Sequence, residues 1–441
     1  MKDLHALNNE AYKFVPMLHK KQREKPNSAP QRQFQGFGEV LDLGQVDITQ
    51  EETRAPLTDE ITSKYVKTNG EMIGFGEAEF RKFNAFLEDL YDTNEISGIC
   101  SFDTLSKHAF KWITTVYSEN KAKESISDYI LNQIQANTNF YQFHFRLQGL
   151  EIEVPFQIGN TIFKYFSETE VSALYEQFLD AKPGISLEEF KNLNRDQFKF
   201  INAITNVKAE KDLAAEMAIN QASLAVDVLK CFCYVYAARK DTLMFDIDFR
   251  YQPNSLASFL QLKNGDIRDG KMILQNRRGV MPIQLTTEFL EYSTRYGLLE
   301  FSDYIIQEKD NELYYKTIDL IRQFSAALSL NDHYEKVAKC ISLFESLCIP
   351  ENSSKARGYT YYKKVISKIY SNPKKQQSYF DVGLNHYKIR DKFMHNNIRW
   401  PMDNEEFMKF LDFTRMFIHS AIQLNRKFTS AAEFQEYFGI K

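Results

Sequence analysis

The sequence predicts an α+β chain: a mixed α/β N-terminal region with short antiparallel strands, followed by an all-α C-terminal bundle. Two observations predict it. Between residues 141 and 166 apolar and polar side chains alternate in short runs, the period-2 pattern of half-buried strands. After about residue 288 the period lengthens to three or four and holds to the end, in segments joined by short connections. A chain of 441 residues, 43% apolar and 26% charged, has the length for two or three domains and the composition of a globular protein. The expected divisions are a polar irregular segment over 1–70, a mixed α/β sensor or regulatory domain over 71–300, and a helical bundle over 301–441.

Each element follows from local pattern. Lys20 to Gln33 holds two prolines, several Lys and Arg and little apolar content, and reads as a linker or mobile arm. From 75 to 137 the pattern is helical, with Phe80, Phe83, Phe86, Leu87 and Leu90 at three- and four-residue steps. Tyr141–Leu147, Leu150–Phe156 and Thr161–Phe166 are expected strands, the last two separated by the turn residues Gly159-Asn160. Residues 168–182 and 186–240 are expected helices. Phe245 to Arg250 alternates strictly, and Asn264-Gly265 and Asp269-Gly270 are hairpin signals, so 241–285 is expected to return to strand.

The bundle is expected to contain five amphipathic helices. Leu313–Leu330 places Tyr314, Ile318, Ile321, Phe324 and Leu328 on one face. Asp332 with Glu335 signals the start of the next helix, which Pro350 closes. A third runs from Ser354 to Tyr370 and a fourth from about Tyr379 to Met394. The fifth starts at Asp403 and buries Phe407, Phe410, Leu411, Phe417, Ile418 and Leu424.

Charge and cysteine content bound the function. A net charge of −4 excludes a polyanion binder acting through bulk electrostatics. The distribution is uneven: 351–400 carries 11 Lys or Arg against Glu351, Asp381 and Asp391, leaving the remainder strongly acidic. Such a block is what a phosphate-binding site needs, although solvated charged faces have the same composition. Aromatic residues make up 14% of the chain, 36 Phe and 24 Tyr against 2 Trp, as thick aromatic cores require. The five cysteines form no Cys-x-x-Cys pair, which points to a reducing compartment without structural zinc. No signal-peptide pattern opens the sequence, and the apolar run Leu224–Ala238 is interrupted by Asp227 and Lys230. A cytoplasmic location without membrane association is expected.

The strongest chemical signal is Tyr387-Lys388-Ile389-Arg390-Asp391-Lys392-Phe393-Met394-His395-Asn396-Asn397. Arg390 can hold a phosphate and His395 can move a proton. His386 and Arg390 are four apart, as are Asp391 and His395, so each pair shares a helix face. Arg390 and His395 are five apart, about 140° around an ideal helix, and do not converge on one straight helix. Asn396-Asn397 tolerate turn geometry and Pro401 follows, so the helix is expected to end near His395. There the imidazole meets the negative end of the macrodipole, which suits a proton donor.

An Arg-x4-His pair late in a C-terminal bundle, with a polar residue directly after the arginine, resembles the HEPN domain, and the Apea-like HEPN proteins in particular. Ile341-Ser342-Leu343-Phe344-Glu345-Ser346-Leu347 is similar to the Leu-Glu-x-Leu helix of those proteins, with Phe344 where many carry leucine. The resemblance covers about 313–427. It implies a HEPN-like bundle and a metal-independent endoribonuclease, a toxin or antiviral effector, that needs no cofactor. The catalytic residues implied are Arg390 on the scissile phosphate and His395 as general acid and base. Asp391 and Asn396 are the implied supporting residues; His386 is read from its spacing as a supporting helix-face neighbour of Arg390, and as a rival to His395 for the catalytic histidine. RNA is the implied substrate, a homodimer the implied assembly, and 2′,3′-cyclic phosphate and 5′-hydroxyl ends the implied products. The preceding region would then sense a trigger or inhibitor.

Two other classes compete. A HEPN-like bundle can also serve as a non-catalytic RNA-binding or dimerisation module within a sensor. A metal-dependent nuclease would use Asp246 and Asp248, which alternation places on one strand face; every half-buried strand puts something polar outward, so this is the weaker reading. His108, His144 and His419 sit among apolar neighbours and read as core or boundary residues.

Overall fold

The computed structural model describes residues 3–21, 50–54, 61–68, 70–93, 96, 98–181, 184–233, 245–247, 256–257, 273–274, 283–307, 309–330, 332–350 and 358–440. Most of the expected arm at Lys20–Gln33, both hairpin signals, Asp248 and the expected helix start at Ser354 lie outside the described residues. The mixed α/β architecture is present, with strands in the N-terminal half and helices filling the C-terminal part. Two compact units form it: 1–141 with 207–217, and 142–206 with 218–441. These divisions differ from the boundaries at 70 and 300 expected from pattern.

The first unit opens with helix α1 (Leu4–Ala11) and a 3-10 turn (Tyr12–Met17). Strands β1 (His19–Lys20), β2 (Gln50–Arg54), β3 (Ile61–Thr68) and β4 (Glu71–Phe75) form an antiparallel sheet in the order β1-β4-β3-β2. Helices α2 (Glu77–Tyr91), α3 (Phe102–Glu119) and α4 (Ile126–Asn137) follow. The expectation of an irregular segment over 1–70 is therefore corrected for its described parts. Leu7, Ala11, Phe14 and Leu18 step along one face at helical spacing and enter the unit's core beside Phe75, Phe83, Phe86 and Phe110. Leu4, Val15 and Met17 pack against the same core, a local apolar stretch that the polar composition of 20–70 obscures.

The second unit begins within β5 (Asn139–Gln148), a strand that contains the expected Tyr141–Leu147. The single run expected over Leu150–Phe156 is two strands, β6 (Leu150–Ile152) and β7 (Phe156–Ile158), and β8 (Thr161–Lys164) pairs antiparallel with β7. Helices α5 (Glu168–Ala181), α6 (Leu187–Leu193) and α7 (Arg195–Lys199) come next. The helix expected over 186–240 is then interrupted by strand β9 (Asn202–Ala209), and α8 (Lys211–Phe232) starts only after it. The segment carries the β-branched residues Ile204, Thr205 and Val207, which suit a strand; β9 lies antiparallel to β8, and the buried hydroxyls of Thr161 and Thr205 bond across it at 2.9 Å.

Short strands β10 (Asp246–Ile247), β11 (Leu256–Ala257), β12 (Ile273–Leu274) and β13 (Ile283–Leu285) follow. The main sheet runs β10-β5-β9-β8-β7. Strand β13 pairs in parallel with β6, so the strands are not all antiparallel as expected. Asp246 is not poised for a metal: the buried Lys230 ammonium sits 2.6 Å from its carboxylate, and its other oxygen accepts from the Ile247 N–H. Both charged residues that interrupt the apolar run of α8 have polar partners, Lys230 the Asp246 carboxylate and Asp227 the Ser325 hydroxyl, which donates to it at 2.6 Å.

From residue 287 the second unit is helical: α9 (Thr287–Arg295), α10 (Leu298–Ile306), α11 (Glu312–Leu328), α12 (His333–Cys348), α13 (Gly358–Ile369), α14 (Pro373–Asn396), α15 (Asn404–Leu424) and α16 (Ala431–Tyr437). The five expected bundle helices are α11 to α15. Asp332 caps α12 by accepting the Tyr334 N–H, and Asp403 caps α15 by accepting those of Glu405 and Glu406. Helix α14 starts at Pro373, earlier than expected: proline needs no donor at the first turn, and Asn372 caps it through Lys374 and Lys375. Phe324, Phe344, Tyr362, Phe407, Phe413 and Phe417 fill one core with the sheet residues Leu147, Ile158 and Phe163. All five cysteines are buried and unpaired, and among the described residues no helix is long and apolar enough to cross a membrane.

His419 shows what this core demands. Its ring stacks on Phe232 at 4.3 Å and donates through Nε2 to the Cys231 carbonyl. Burial, with the nearby Arg415 charge, pulls its pKa from 6.5 down to about 3. The folded chain refuses a proton that the unfolded chain accepts below pH 6.5, so stability present above that pH is lost as pH falls toward about 3. The expected slope from this residue is about 1.4 kcal/mol per pH unit. Urea unfolding at a series of pH values should show His419→Phe with a flatter acid limb than wild type, despite its lost hydrogen bond.

Candidate functional site

The region around Arg390 and His395 is built by three helices of the second unit. Helix α14 crosses the bundle with Tyr379, Val382, His386, Tyr387 and Ile389 buried, which fixes its rotation and turns Arg390 toward α12. Arg390 is 21% exposed in its side chain and Glu345 of α12 is 23% exposed; Arg390 Nη2 lies 2.9 Å from both Glu345 carboxylate oxygens. Arg390 Nη1 lies 3.2 Å from the Asp391 carboxylate. The Nε–H of Arg390 is buried and makes no hydrogen bond among the described residues. Burial pushes the Glu345 carboxyl up, against the opposing pull of Arg390. The start of α13 closes over this pair: a Cβ on Gly358 would fall 2.3 Å from Glu345 Oε1 and 2.6 Å from the Tyr387 hydroxyl.

His395 stands in a different setting. Helix α14 continues through Asn396 and ends on Asn397, whose φ of 53° is left-handed and whose N–H bonds the Phe393 carbonyl at 2.9 Å. The expected end near His395 is where the helix stops. His395 is exposed, and its ring makes no hydrogen bond or ion pair among the described residues. Because the helix is unbroken between them, Arg390 and His395 keep the angular offset of five helical residues and do not meet within one chain.

No protein-family model, curated protein or solved structure matches the chain. The site is therefore argued from its own chemistry.

The supporting residues divide. Asp391 pairs with Arg390, its carboxylate 3.2 Å from Nη1, and makes no hydrogen bond or ion pair with the His395 ring among the described residues. Asn396 is the exposed last helical residue, next to the capping Asn397. His386, expected as a helix-face neighbour of Arg390, is a core residue and is corrected to that role. It is fully buried, its ring lies parallel to Phe410 at 4.5 Å, and its Nδ1 donates to the Val382 carbonyl at 2.8 Å. Burial lowers its pKa, so it rests as neutral imidazole.

Pattern reasoning did not assign Glu345 its role as partner of Arg390. Its sequence signals are an acid between Leu343 and Leu347 and its place as the Glu of the stretch similar to a Leu-Glu-x-Leu helix, and neither points to Arg390, 45 residues away. Also missed was the segment after the helix. There Arg399 pairs with Asp332, the Tyr334 hydroxyl donates to the Trp400 carbonyl, and the Ile398 N–H bonds the Lys392 carbonyl.

Proposed function

We propose that the C-terminal end of α14 is the active site of a metal-independent endoribonuclease of HEPN type. The observation that carries this reading is the exposed imidazole of His395 at the end of a helix whose preceding turn holds Arg390 in a fixed carboxylate cradle. One group is free to exchange protons with solvent and substrate, and the other is a pre-oriented cation. In the proposed reaction the ribose 2′-hydroxyl attacks the adjacent phosphorus and loses its proton. The bond from phosphorus to the 5′-oxygen breaks, and that oxygen takes a proton. The products are a 2′,3′-cyclic phosphate and a 5′-hydroxyl end. His395 carries the proton and Arg390 offsets the charge gathering on the phosphoryl oxygens.

The angular separation of the two side chains fits a homodimer in which a second copy supplies the missing half of each site. The biological setting that follows is a toxin or antiviral effector acting in the cytoplasm. Its N-terminal region would answer a trigger or an inhibitor. Purified protein incubated with total RNA in EDTA should leave cyclic phosphate ends and arrest growth when expressed. RNA left intact in chelator at high protein concentration, with cutting restored by magnesium, would sink the metal-independent mechanism.

A second reading has one observation in its favour. Arg390 already faces two carboxylates, Glu345 and Asp391, so a phosphate must displace at least one of them. A bundle in which that ion-pair network is purely architectural would bind RNA or dimerise without cutting. RNA binding that survives His395→Ala and Arg390→Ala together, with no cleavage by wild type, would select it.

A further inference from the structure

We infer that Trp400 is a stacking platform for a nucleobase of single-stranded RNA, placed beside the His395 face of α14. The inference takes its ligand class from the ribonuclease reading and adds the residue that seats the strand.

The chain holds two tryptophans. Trp112 is in the core of the first unit, with its indole N–H on the Glu124 carbonyl at 3.2 Å. Trp400 is 42% exposed. An exposed indole on a loose segment would mean little, but this segment is pinned at each step. Asn397 ends the helix in left-handed geometry, and the Ile398 N–H bonds the Lys392 carbonyl at 3.1 Å. The Arg399 guanidinium pairs with Asp332 and lies over the rings of Tyr334 (5.5 Å) and Phe393 (5.9 Å). The Trp400 carbonyl then takes the Tyr334 hydroxyl. The ring is presented by a rigid backbone, so little ordering entropy opposes a ligand stacking on it.

Charge identifies the ligand. The Lys392 ammonium lies over one face of the indole ring, 5.5 Å from its centre, so a base would stack on the opposite face. An aromatic ring with a cation on one face suits a flat base attached to a phosphate, the combination used for single strands. Lys392 and His395 are three apart on α14 and share a face, so the lysine that reaches Trp400 is a helix neighbour of the imidazole. Met394 (60% exposed) and Ile398 (44% exposed) extend the apolar part of this surface. A strand stacked on Trp400 would present its backbone along the Lys392 and His395 side.

Because Trp112 is buried, an added oligonucleotide can stack on Trp400 alone, so quenching of the intrinsic fluorescence reports on Trp400. The probe is a short 2′-O-methyl oligoribonucleotide, which cannot undergo 2′-hydroxyl attack, titrated into the full chain and into its Trp112→Phe variant. Quenching that saturates with binding, as followed by anisotropy of the labelled oligonucleotide, is expected in both. Trp400→Ala should raise Kd roughly 5- to 150-fold, and Trp400→Phe should recover most of that loss. Unchanged thermal melting of Trp400→Ala would separate lost stacking from lost folding.

Binding without quenching, an unchanged Kd in Trp400→Ala, or no binding at all would overturn the platform. So would fluorescence that changes with protein concentration alone and tracks dimer formation in sedimentation, since Trp400 would then face a second copy of the chain. Quenching by the oligonucleotide with no cleavage of ordinary RNA would instead sink the nuclease reading and leave the platform standing.

Discussion

His395→Ala should lose RNA cleavage by about 10²- to 10⁴-fold, the range for removing a positioned proton carrier, while its melting temperature stays at the wild-type value. The second half of that expectation follows from the exposed ring, which makes no hydrogen bond or ion pair among the described residues. Arg390→Ala should behave differently. Removing a charge-stabilising donor loses about 10²- to 10³-fold in rate. It also strips the half-buried Glu345 carboxylate of its main partner, which should destabilise the second unit by about 1–3 kcal/mol. Adding Glu345→Gln to Arg390→Ala removes the stranded charge and should recover much of that stability without recovering activity. Cleavage rates from gel time courses and melting curves on the same four proteins check both halves. Full activity in His395→Ala would remove the imidazole from the chemistry and favour the non-catalytic bundle.

The contrast between these two residues marks where sequence pattern stops being informative. Arg390 and His395 were legible by type and spacing, and the end of α14 by Asn397 and Pro401, because all of these are local properties. The C-terminal helices were legible for the same reason: each buries one stripe, and a stripe repeats within the helix itself. Strand β9 was missed although Ile204, Thr205 and Val207 are strand formers, because the strand is short and lies between the helical stretches α7 and α8. The stripe from Leu7 to Leu18 was missed because residues 1–70 form one polar unit by composition, whose later part hides an apolar start. Within the site, the assignments that failed are those needing a partner distant in sequence. Glu345 reaches Arg390 from another helix, and His386 is withdrawn from the surface by Phe410 of α15. Helical spacing places a residue on a face, and only packing decides what that face meets.

Gly383→Ala tests the packing that sets the whole site. In an exposed helix interior this change normally stabilises by about 1 kcal/mol, because alanine restricts the unfolded chain and favours the helix. Gly383 lies in the middle of α14, so propensity alone predicts a gain. Tertiary contact predicts the reverse. A Cβ there would fall 2.0 Å from Tyr362 Cε1 and 2.5 Å from its Cζ, and the ring cannot retreat. Tyr362 is buried, with Phe413 at 4.2 Å and Phe344 at 5.4 Å behind it. Overpacking of this kind costs about 1–3 kcal/mol, enough to outweigh the propensity gain. Thermal melting should therefore show Gly383→Ala below wild type. Relief from the facing side should be non-additive: Tyr362→Leu should lose less stability in the Gly383→Ala background than alone, since the new methyl takes part of the ring's volume. The same displacement of α13 from α14 would shift Gly358 off the Glu345 carboxylate, so cleavage should fall along with stability, although neither Gly383 nor Tyr362 touches the reacting atoms. A higher melting temperature for Gly383→Ala would mean that α13 and α14 have room to part, and that the cradle around Arg390 is not set by their close approach.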